Sequence, residues 1–472
     1  MTNNFPRIII AATQSGSGKT TITAGLIAAL KNRGLNVQAY KIGPDYIDTG
    51  WHLLAGGKIS HNLDSWLVGE DKLKEIFFET SRGADISIIE GVMGLYDGGK
   101  GGISSTAQIS KLLDAPVVLV IDAKSMGTSA AAVALGFKEF DKSINLAGVI
   151  LNRLGSDSHK KIIVDALNDL EIKCFGAIKR NDEFFLPERH LGLVPIAENH
   201  SVDAIKKICA AVEEQVDLNA LINLAKNSSP LKIIPNSSFL IPNCLSIGVA
   251  KDEAFNFYYG ASLNELEKLG AEILYFSPLN DTTLPKVDGL IIGGGFPEMF
   301  AAQLEKNKNL RAEIFAAAQD GLPIFAECGG FMYLMRELID FDGKIFEMCG
   351  VLDGVATMTK KLQTVGYVES EILSDCVIGK AGEKIHAHEF HFSTAEISSG
   401  EKIFKCRRMR TGKEYFAGLK KKNLVASYLH IHFAGNKTLA KNFVEACKNY
   451  QSLKGERKFD GRNDQRDCNG GR

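Results

Sequence analysis

Residues 7–34, RIIIAATQSGSGKTTITAGLIAALKNRG, constrain the fold more than any other stretch of the chain. A β-rich run enters a glycine-rich turn, and a helical pattern leaves the turn and stops at Gly34. At such a junction the free backbone N–H groups and the helix dipole converge on an anion. Gly16, Ser17, Gly18, Lys19, Thr20 and Thr21 therefore predict an ATP-binding phosphate loop, with Lys19 reaching the β and γ phosphates and Thr20 holding Mg²⁺. The first glycine of the usual GxxxxGK[ST] spacing is replaced by Thr13, so the prediction rests on the strand, turn and helix context.

A chain of 472 residues exceeds what one core supports, since single cores rarely grow past roughly 250–300 residues. Short β-rich runs at 7–12, 37–41, 86–90, 117–122 and 146–152 alternate with helical stretches, which predicts a mostly parallel, helix-covered sheet. The pattern loosens after Glu213, and NSSPLKIIPNSSFLIPN has the Asn, Ser and Pro content of a linker. We therefore expect a first domain at 1–225, a linker at 226–244 and a second α/β domain at 245–448. The polar, glycine-rich segment 449–472 is expected to be a disordered tail, which removes Cys468 from the catalytic candidates.

A formal net charge of −1 supplies no global field for nucleic acid or an anionic membrane, so neither is an expected partner. The longest apolar runs, such as residues 115–123, fall far short of the ~20 needed to span a bilayer. With no signal-peptide pattern at the N-terminus, the expected location is cytoplasmic. Nine cysteines without a CxxC pair suit reduced thiols rather than a disulfide framework or a zinc site. The sequence leaves a homodimer open.

Two acidic clusters follow predicted strands. KIGPDYIDTGWH places Lys41, Asp45, Tyr46 and Asp48 at one strand end, and IIEGVMGLYDG places Glu90 and Asp97 at another. Open parallel sheets bind ligands at such ends, where carboxylates hold Mg²⁺ or orient a phosphoryl acceptor.

A different chemistry is suggested by LPIFAECGG, where Cys328 stands between a buried-strand pattern and GGFMYLMREL, which reads as an amphipathic helix. A sharp strand-to-helix turn lifts a thiol to a helix N-terminus, whose dipole lowers its pKa. The pattern departs from a G-x-C-x-G elbow in having Ala326 first. Gly329, and Gly294 and Gly295 of GGGFPE, offer backbone donors for an oxyanion. The base such a thiol needs could come from His386, His388 or His391 of HAHEFH, or from His430 or His432 of SYLHIHF. Strand alternation puts His430 and His432 on one face and does not choose between them. A metal cluster at HAHEFH lacks a partner at a familiar ligand spacing.

Together SGSGKTT, KIGPDYID, NLDSW, IIEGVMGLYDG, GGGFPE, AECGG, HEFHFS and SYLHIHF resemble the cobyrinic acid a,c-diamide synthase family, over about residues 5–447. The resemblance implies an α/β chain with an N-terminal P-loop domain of the dethiobiotin synthetase type. It implies a C-terminal class I glutamine amidotransferase domain with a flavodoxin-like sheet. In that family ATP phosphorylates the a and c acetate carboxylates of a cobyrinate-type tetrapyrrole, and ammonia released from glutamine aminates the acyl phosphates. By motif position the resemblance makes Cys328 the nucleophile and His430 its base. It puts Thr20, Asp45 and Glu90 at the metal, and Lys41, Asp45, Tyr46, Ile47 and Asp97 at the substrate. Ordinary class I glutaminases carry a Glu where this chain has His432, so the third member of the triad is unassigned. Hydrogenobyrinate and nickel-sirohydrochlorin present similar acetates and are alternative substrates. A partitioning or regulatory P-loop ATPase fits less well, because Gln14 stands where that group usually has a lysine, and it leaves AECGG and HEFHFS unexplained.

Overall fold

The computed structural model describes residues 2–3, 5–184, 199–232 and 245–463. Two compact units divide the chain, Met1–Asn236 and Ser237–Arg472.

In the N-terminal unit seven strands form one sheet: β1 (Arg7–Ala12), β2 (Val37–Ile42), β3 (His61–Leu63), β4 (Ile86–Glu90), β5 (Val117–Asp122), β6 (Leu146–Leu154) and β7 (Cys174–Lys179). Their order is β3-β2-β4-β1-β5-β6-β7, and every pairing is parallel. The strands read as near-continuous apolar runs because helices cover both faces of the sheet. The chain progresses to one side of β1 through β2 and to the other through β5, so the crevice at the carboxyl end of β1 is the natural ligand site. Helix α1 (Lys19–Asn32) leaves β1 through the phosphate loop and is buried along most of its length. Helix α2 (Ile47–Gly56) follows β2.

Where the sequence pattern loosens after Glu213, the structure retains order. A helix over Asn199–Gln215 is followed by one over Leu218–Lys226, capped by the Asp217 side chain on the Ala220 N–H. Buried Leu218, Leu221 and Ala225 dock this second helix on the core. Buried Arg7 then gathers the end of the unit, donating to the Ser228 hydroxyl and to the Ser229 carbonyl. Of the expected linker, residues 233–244 lie outside the described residues.

The C-terminal unit has a ten-stranded sheet. Its members are β8 (Leu245–Ala250), β9 (Ala271–Phe276), β10 (Gly289–Ile292), β11 (Ile324–Glu327), β12 (Thr364–Ile372), β13 (Lys384–His391), β14 (Glu401–Arg408), β15 (Glu414–Lys421), β16 (Leu424–Ser427) and β17 (Leu429–Ile431). The order β9-β8-β10-β11-β16 is parallel, and β15-β14-β12-β13-β17 extends it in antiparallel fashion. This parallel half is the expected flavodoxin-like sheet, and both units are α/β. The chain steps from β16 through Tyr428 to β17, so the far end of the antiparallel half returns beside the parallel half.

GGFMYLMREL does not form one helix. Helix α3 covers only Gly329–Tyr333, and Met335–Ile339 is a strand paired with Ile345–Glu347 and Leu352–Met358. Met335 and Leu338 are buried while Arg336 is exposed, so sheet pairing overrides the helical reading of this segment.

The segment expected to be a disordered tail from 449 begins as helix. Helix α4 runs over Lys437–Asn463, because Ala440, Phe443, Val444, Cys447 and Tyr450 repeat at helical spacing and are buried. The Tyr450 hydroxyl bonds Asp320 at 2.8 Å. The rest of the expected tail, with Cys468, lies outside the described residues. Among the described residues no helix is long and apolar enough to cross a membrane.

Candidate active sites

The phosphate loop turns through Gly16 and Gly18, at φ 78° and 85°. A Cβ at Gly18 would collide with the Asn152 side chain, whose Nδ2 donates to the Ser17 carbonyl at 2.9 Å. Gly18 also occupies the cap position of α1 with no side-chain cap, which leaves the first-turn N–H groups facing the loop. The Lys19 ammonium donates to the Met93 carbonyl at 3.1 Å. Burial, with Lys41 close by, lowers its pKa to about 8.

Parallel register brings the acidic segments to this loop. Glu90 lies opposite Lys41 on one side and Ile10 on the other, at the carboxyl ends of β2, β4 and β1. The Thr20 hydroxyl reaches Glu90 Oε1 at 2.7 Å and Asp48 Oδ1 at 3.2 Å. Lys41 Nζ, buried, contacts Glu90 at 3.0 Å and Asp48 at 2.5 Å. His52 Nε2 lies 2.7 Å from Glu90 Oε2, and His52 Nδ1 lies 2.9 Å from the Ser60 hydroxyl. Burial raises the Asp48 carboxyl to about 7, and the charges of Asp45 and Glu90 add to the rise. Glu90 is pulled below the usual range by Lys41 and His52, against its own desolvation.

The remaining expected residues are placed differently. Asp45 Oδ1 accepts the Ile47 and Asp48 N–H groups at 2.7 and 3.1 Å, so this oxygen anchors the start of α2. Tyr46 is half-buried beside it, and Ile47 packs against the core. Exposed Asp97 accepts the Gly94 N–H at 3.1 Å. Lys41 is enclosed by carboxylates and the Gly91 carbonyl. His52 is therefore the residue at Glu90 that the sequence reading left out, while Asp48, read among the strand-end carboxylates, is the one that joins Glu90 at Thr20.

A cavity of about 340 Å³ adjoins Gly18 and Thr21, lined also by Lys124, Asn152, Arg153 and Lys179. Asn152 ends one of the apolar runs legible in the sequence. Its position at the strand end was the signal that could have marked it.

In the C-terminal unit the cysteine sits in a strained turn, Cys328 having φ 47° and ψ −101°. Its N–H donates to the Ser427 carbonyl at 2.7 Å, and its sulfur lies 3.9 Å from the Phe390 carbonyl. The Gly329 N–H is turned towards the sulfur. A Cβ at Gly329 would stand 3.0 Å from the Gly295 nitrogen and 2.9 Å from Pro297 Cδ. A Cβ at Gly294 would stand 2.8 Å from His430 Cε1. Glycines at these positions let the GGGFPE turn, the cysteine elbow and His430 close on one another.

His430 and His432 are both buried but make different contacts. The strand ends at Ile431, and His432 instead caps the turn at Phe433–Gly435, accepting the Ala434 N–H at 3.1 Å. Its ring stacks on Tyr259 with centroids 4.8 Å apart, and its Nδ1 lies 3.2 Å from the Ser262 hydroxyl. His430 remains on β17, in register opposite His388 of β13.

The thiol differs from the expectation of a lowered pKa. Burial drives it up, and the charges of Glu298, Glu327 and Glu389 add to the rise. Helix α3 has only 5 residues, too short for its dipole to offset three carboxylates. Desolvation, with His388 and His391 nearby, lowers His430 to about 3. The resting pair is accordingly a neutral thiol and a neutral imidazole.

HAHEFH gathers no metal cluster among the described residues. Along β13, His386 and His388 share one face and Glu389 and His391 the other. Glu389 accepts from the Tyr415 hydroxyl at 2.5 Å and lies 3.4 Å from His391 Nε2, whose ring stacks on Tyr428.

Two family models match the chain. The CobQ/CobB/MinD/ParA nucleotide binding domain matches residues 8–194, and the CobB/CobQ-like glutamine amidotransferase domain matches residues 246–438. A cobyrinate a,c-diamide synthase of Dehalococcoides mccartyi is 42% identical over 463 residues, covering 95% of this chain and 100% of the relative. One from Listeria monocytogenes is 44% identical over 441 residues, covering 91% and 97%. A hydrogenobyrinate a,c-diamide synthase of Streptomyces coelicolor is 40% identical over 482 residues, covering 94% and 98%.

Proposed function

Because the chain belongs to the cobyrinate a,c-diamide synthase family, a group of glutamine-hydrolysing ligases, we propose that it amidates the a and c acetates of cobyrinate with ATP and glutamine. The coarse activity, glutamine-dependent amidation in cobalamin biosynthesis, follows from membership. The finer assignment follows from the chemistry of the residues.

A carboxylate is a poor acceptor for an amine until one oxygen becomes a leaving group. Transfer of the ATP γ-phosphoryl to the acetate supplies that group, and the resulting acyl phosphate takes up ammonia with release of phosphate. In this reading the loop N–H groups and Lys19 cradle the β and γ phosphates, and the cavity beside Asn152 takes the nucleoside. Thr20, Asp48 and Glu90 present hard oxygen donors that converge, which fits Mg²⁺, with Asp45 adding negative charge beside them. When bound, Mg²⁺ neutralises charge on the transferring phosphoryl group. Lys41 and His52 fix both oxygens of Glu90. Tyr46, Ile47 and Asp97 line the approach of the macrocycle.

At the other site the Cys328 sulfur attacks the side-chain amide carbon of glutamine as its proton passes to His430. The oxyanion forms beside the N–H groups of Gly295 and Gly329. His430 returns the proton to the departing nitrogen, ammonia leaves, and water hydrolyses the thioester to glutamate. The observation that supports the reading is that one chain holds both a phosphate loop with its acidic cluster and a cysteine elbow packed on the GGGFPE turn, which His430 also meets. The hydrogenobyrinate relative makes the metal-free macrocycle the second reading.

Incubating the protein with cobyrinate, hydrogenobyrinate or nickel-sirohydrochlorin, plus ATP, Mg²⁺ and glutamine, tests the proposal by product mass. Two carboxyl-to-amide exchanges on cobyrinate are expected. No mass change on any of the three would overturn it.

A further inference from the structure

Three carboxylates act on the Cys328 thiol, and they differ in what they already hold. Glu327 is buried and accepts the Ile431 N–H at 2.6 Å. Glu389 is buried and engaged by Tyr415 and His391. Glu298 is half-buried, and among the described residues the one polar influence on its carboxylate is its own backbone N–H. No lysine, arginine or histidine among the described residues forms an ion pair with it.

A carboxylate kept partly out of water beside a nucleophile, with no cation of its own, is costly unless a ligand supplies the counter-charge. Its surroundings express that cost, since burial raises the Glu298 carboxyl to about 7. Its place is fixed by the backbone. Pro297, the residue before it, packs against Gly329, and the nitrogen of Gly295 in the same turn would stand 3.0 Å from a Cβ at Gly329. Of the carboxylates acting on the sulfur, Glu298 exerts the largest charge effect.

We propose that Glu298 is a specificity-determining residue of the glutaminase site, its carboxylate binding the α-ammonium of glutamine while the side-chain amide reaches Cys328. The inference rests on the glutaminase reading of Cys328. In that reading the turn GGGFPE does two tasks at once, its glycines meeting the oxyanion and its glutamate meeting the far end of the substrate. Simple amides lack the α-ammonium and gain nothing from Glu298. The site is thereby selective for an amino acid amide. No proton or electron moves at Glu298; its charge raises the thiol for every substrate alike, so its part in binding is read from the ratio between substrates.

The test compares glutamine with glutaramate, which has the same amide and chain but no α-amino group, in a glutaminase assay of the full-length chain. The wild type should prefer glutamine by about tenfold to a hundredfold in kcat/KM, the worth of one charge-assisted contact. Glu298→Gln should raise the KM for glutamine by a similar factor with kcat little changed. Any change that reaches glutaramate hydrolysis through the thiol should be shared by glutamine, so the preference itself collapses. Glu298→Asp, which keeps the charge, should retain part of the preference. Equal losses on both substrates, as a merely structural role would give, would overturn the proposal. So would a wild type that does not discriminate, or a Glu298→Asp as unselective as Glu298→Gln. Failure of the glutaminase reading itself would appear separately, as glutamine hydrolysis surviving in Cys328→Ser.

Discussion

At Cys328 backbone and electrostatics oppose each other. The strained turn presents the sulfur to the Gly329 N–H, while burial and three carboxylates hold the proton on it. A thiol that is neutral at rest is protected from adventitious oxidation, and in the proposed mechanism it gives its proton to His430 when substrate arrives. The elbow was legible in LPIFAECGG, because glycines and a strand pattern announce a tight turn. The electrostatics were not, since Glu298 and Glu389 reach the thiol through folding and not through sequence proximity. A second buried residue makes a pH prediction. Burial lowers His61 from 6.5 to about 4, and its Nδ1 has no partner among the described residues. Proton uptake below pH 6.5 then belongs to the unfolded chain, so the stabilisation is whole above that value and is lost as pH falls towards 4. Between neutral pH and pH 5 the N-terminal unit should lose about 2 kcal/mol through this group. Thermal melts across that range should show a fall in Tm that His61→Gln flattens, and an unchanged slope in the variant would refute the assignment.

Strand β17 shows how a short element can organise a site. It is tied to the elbow by the Glu327 side chain, which accepts the Ile431 N–H, and to β13 by the pairing of His430 with His388. Glu327→Ala would leave a buried N–H without an acceptor and should cost about 1–3 kcal/mol in chemical denaturation. Glu327→Gln keeps an acceptor and should cost much less; equal costs would show that the bond does not matter. The two histidines of SYLHIHF separate on the same logic. His430→Ala should lower glutaminase kcat by about 10²–10⁴, the usual worth of a general base. His432→Ala should chiefly lose its cap and its stack on Tyr259, costing about 1 kcal/mol. A larger catalytic loss in His432→Ala would reverse the assignment. Alternation could not separate the pair, because His432 keeps an extended backbone and what distinguishes it is the cap and the stack that it makes through folding. The strand Met335–Ile339 escaped for a related reason, as apolar spacing in GGFMYLMREL suits a helix until the strands at Ile345–Glu347 and Leu352–Met358 compete for it.

Across the whole chain, what was legible is what local pattern controls. Parallel strands buried on both faces leave continuous apolar runs, and the phosphate loop carries its own spacing. The antiparallel half of the second sheet was not legible, because its strands carry mixed polarity and two of its pairings join strands distant in the sequence. The acidic cluster, Asp48 included, was found by its strand ends, whereas His52 emerges only once the fold brings its ring to Glu90. The central claim is a division of labour, with one unit activating a carboxylate and the other supplying the nitrogen. Its most direct test is amidation of cobyrinate by Cys328→Ala, read by product mass with either glutamine or ammonium chloride as the nitrogen source. The account predicts a fall of about 10³ or more with glutamine and diamide formation retained with ammonia; loss with both sources, or retention with glutamine, would contradict it.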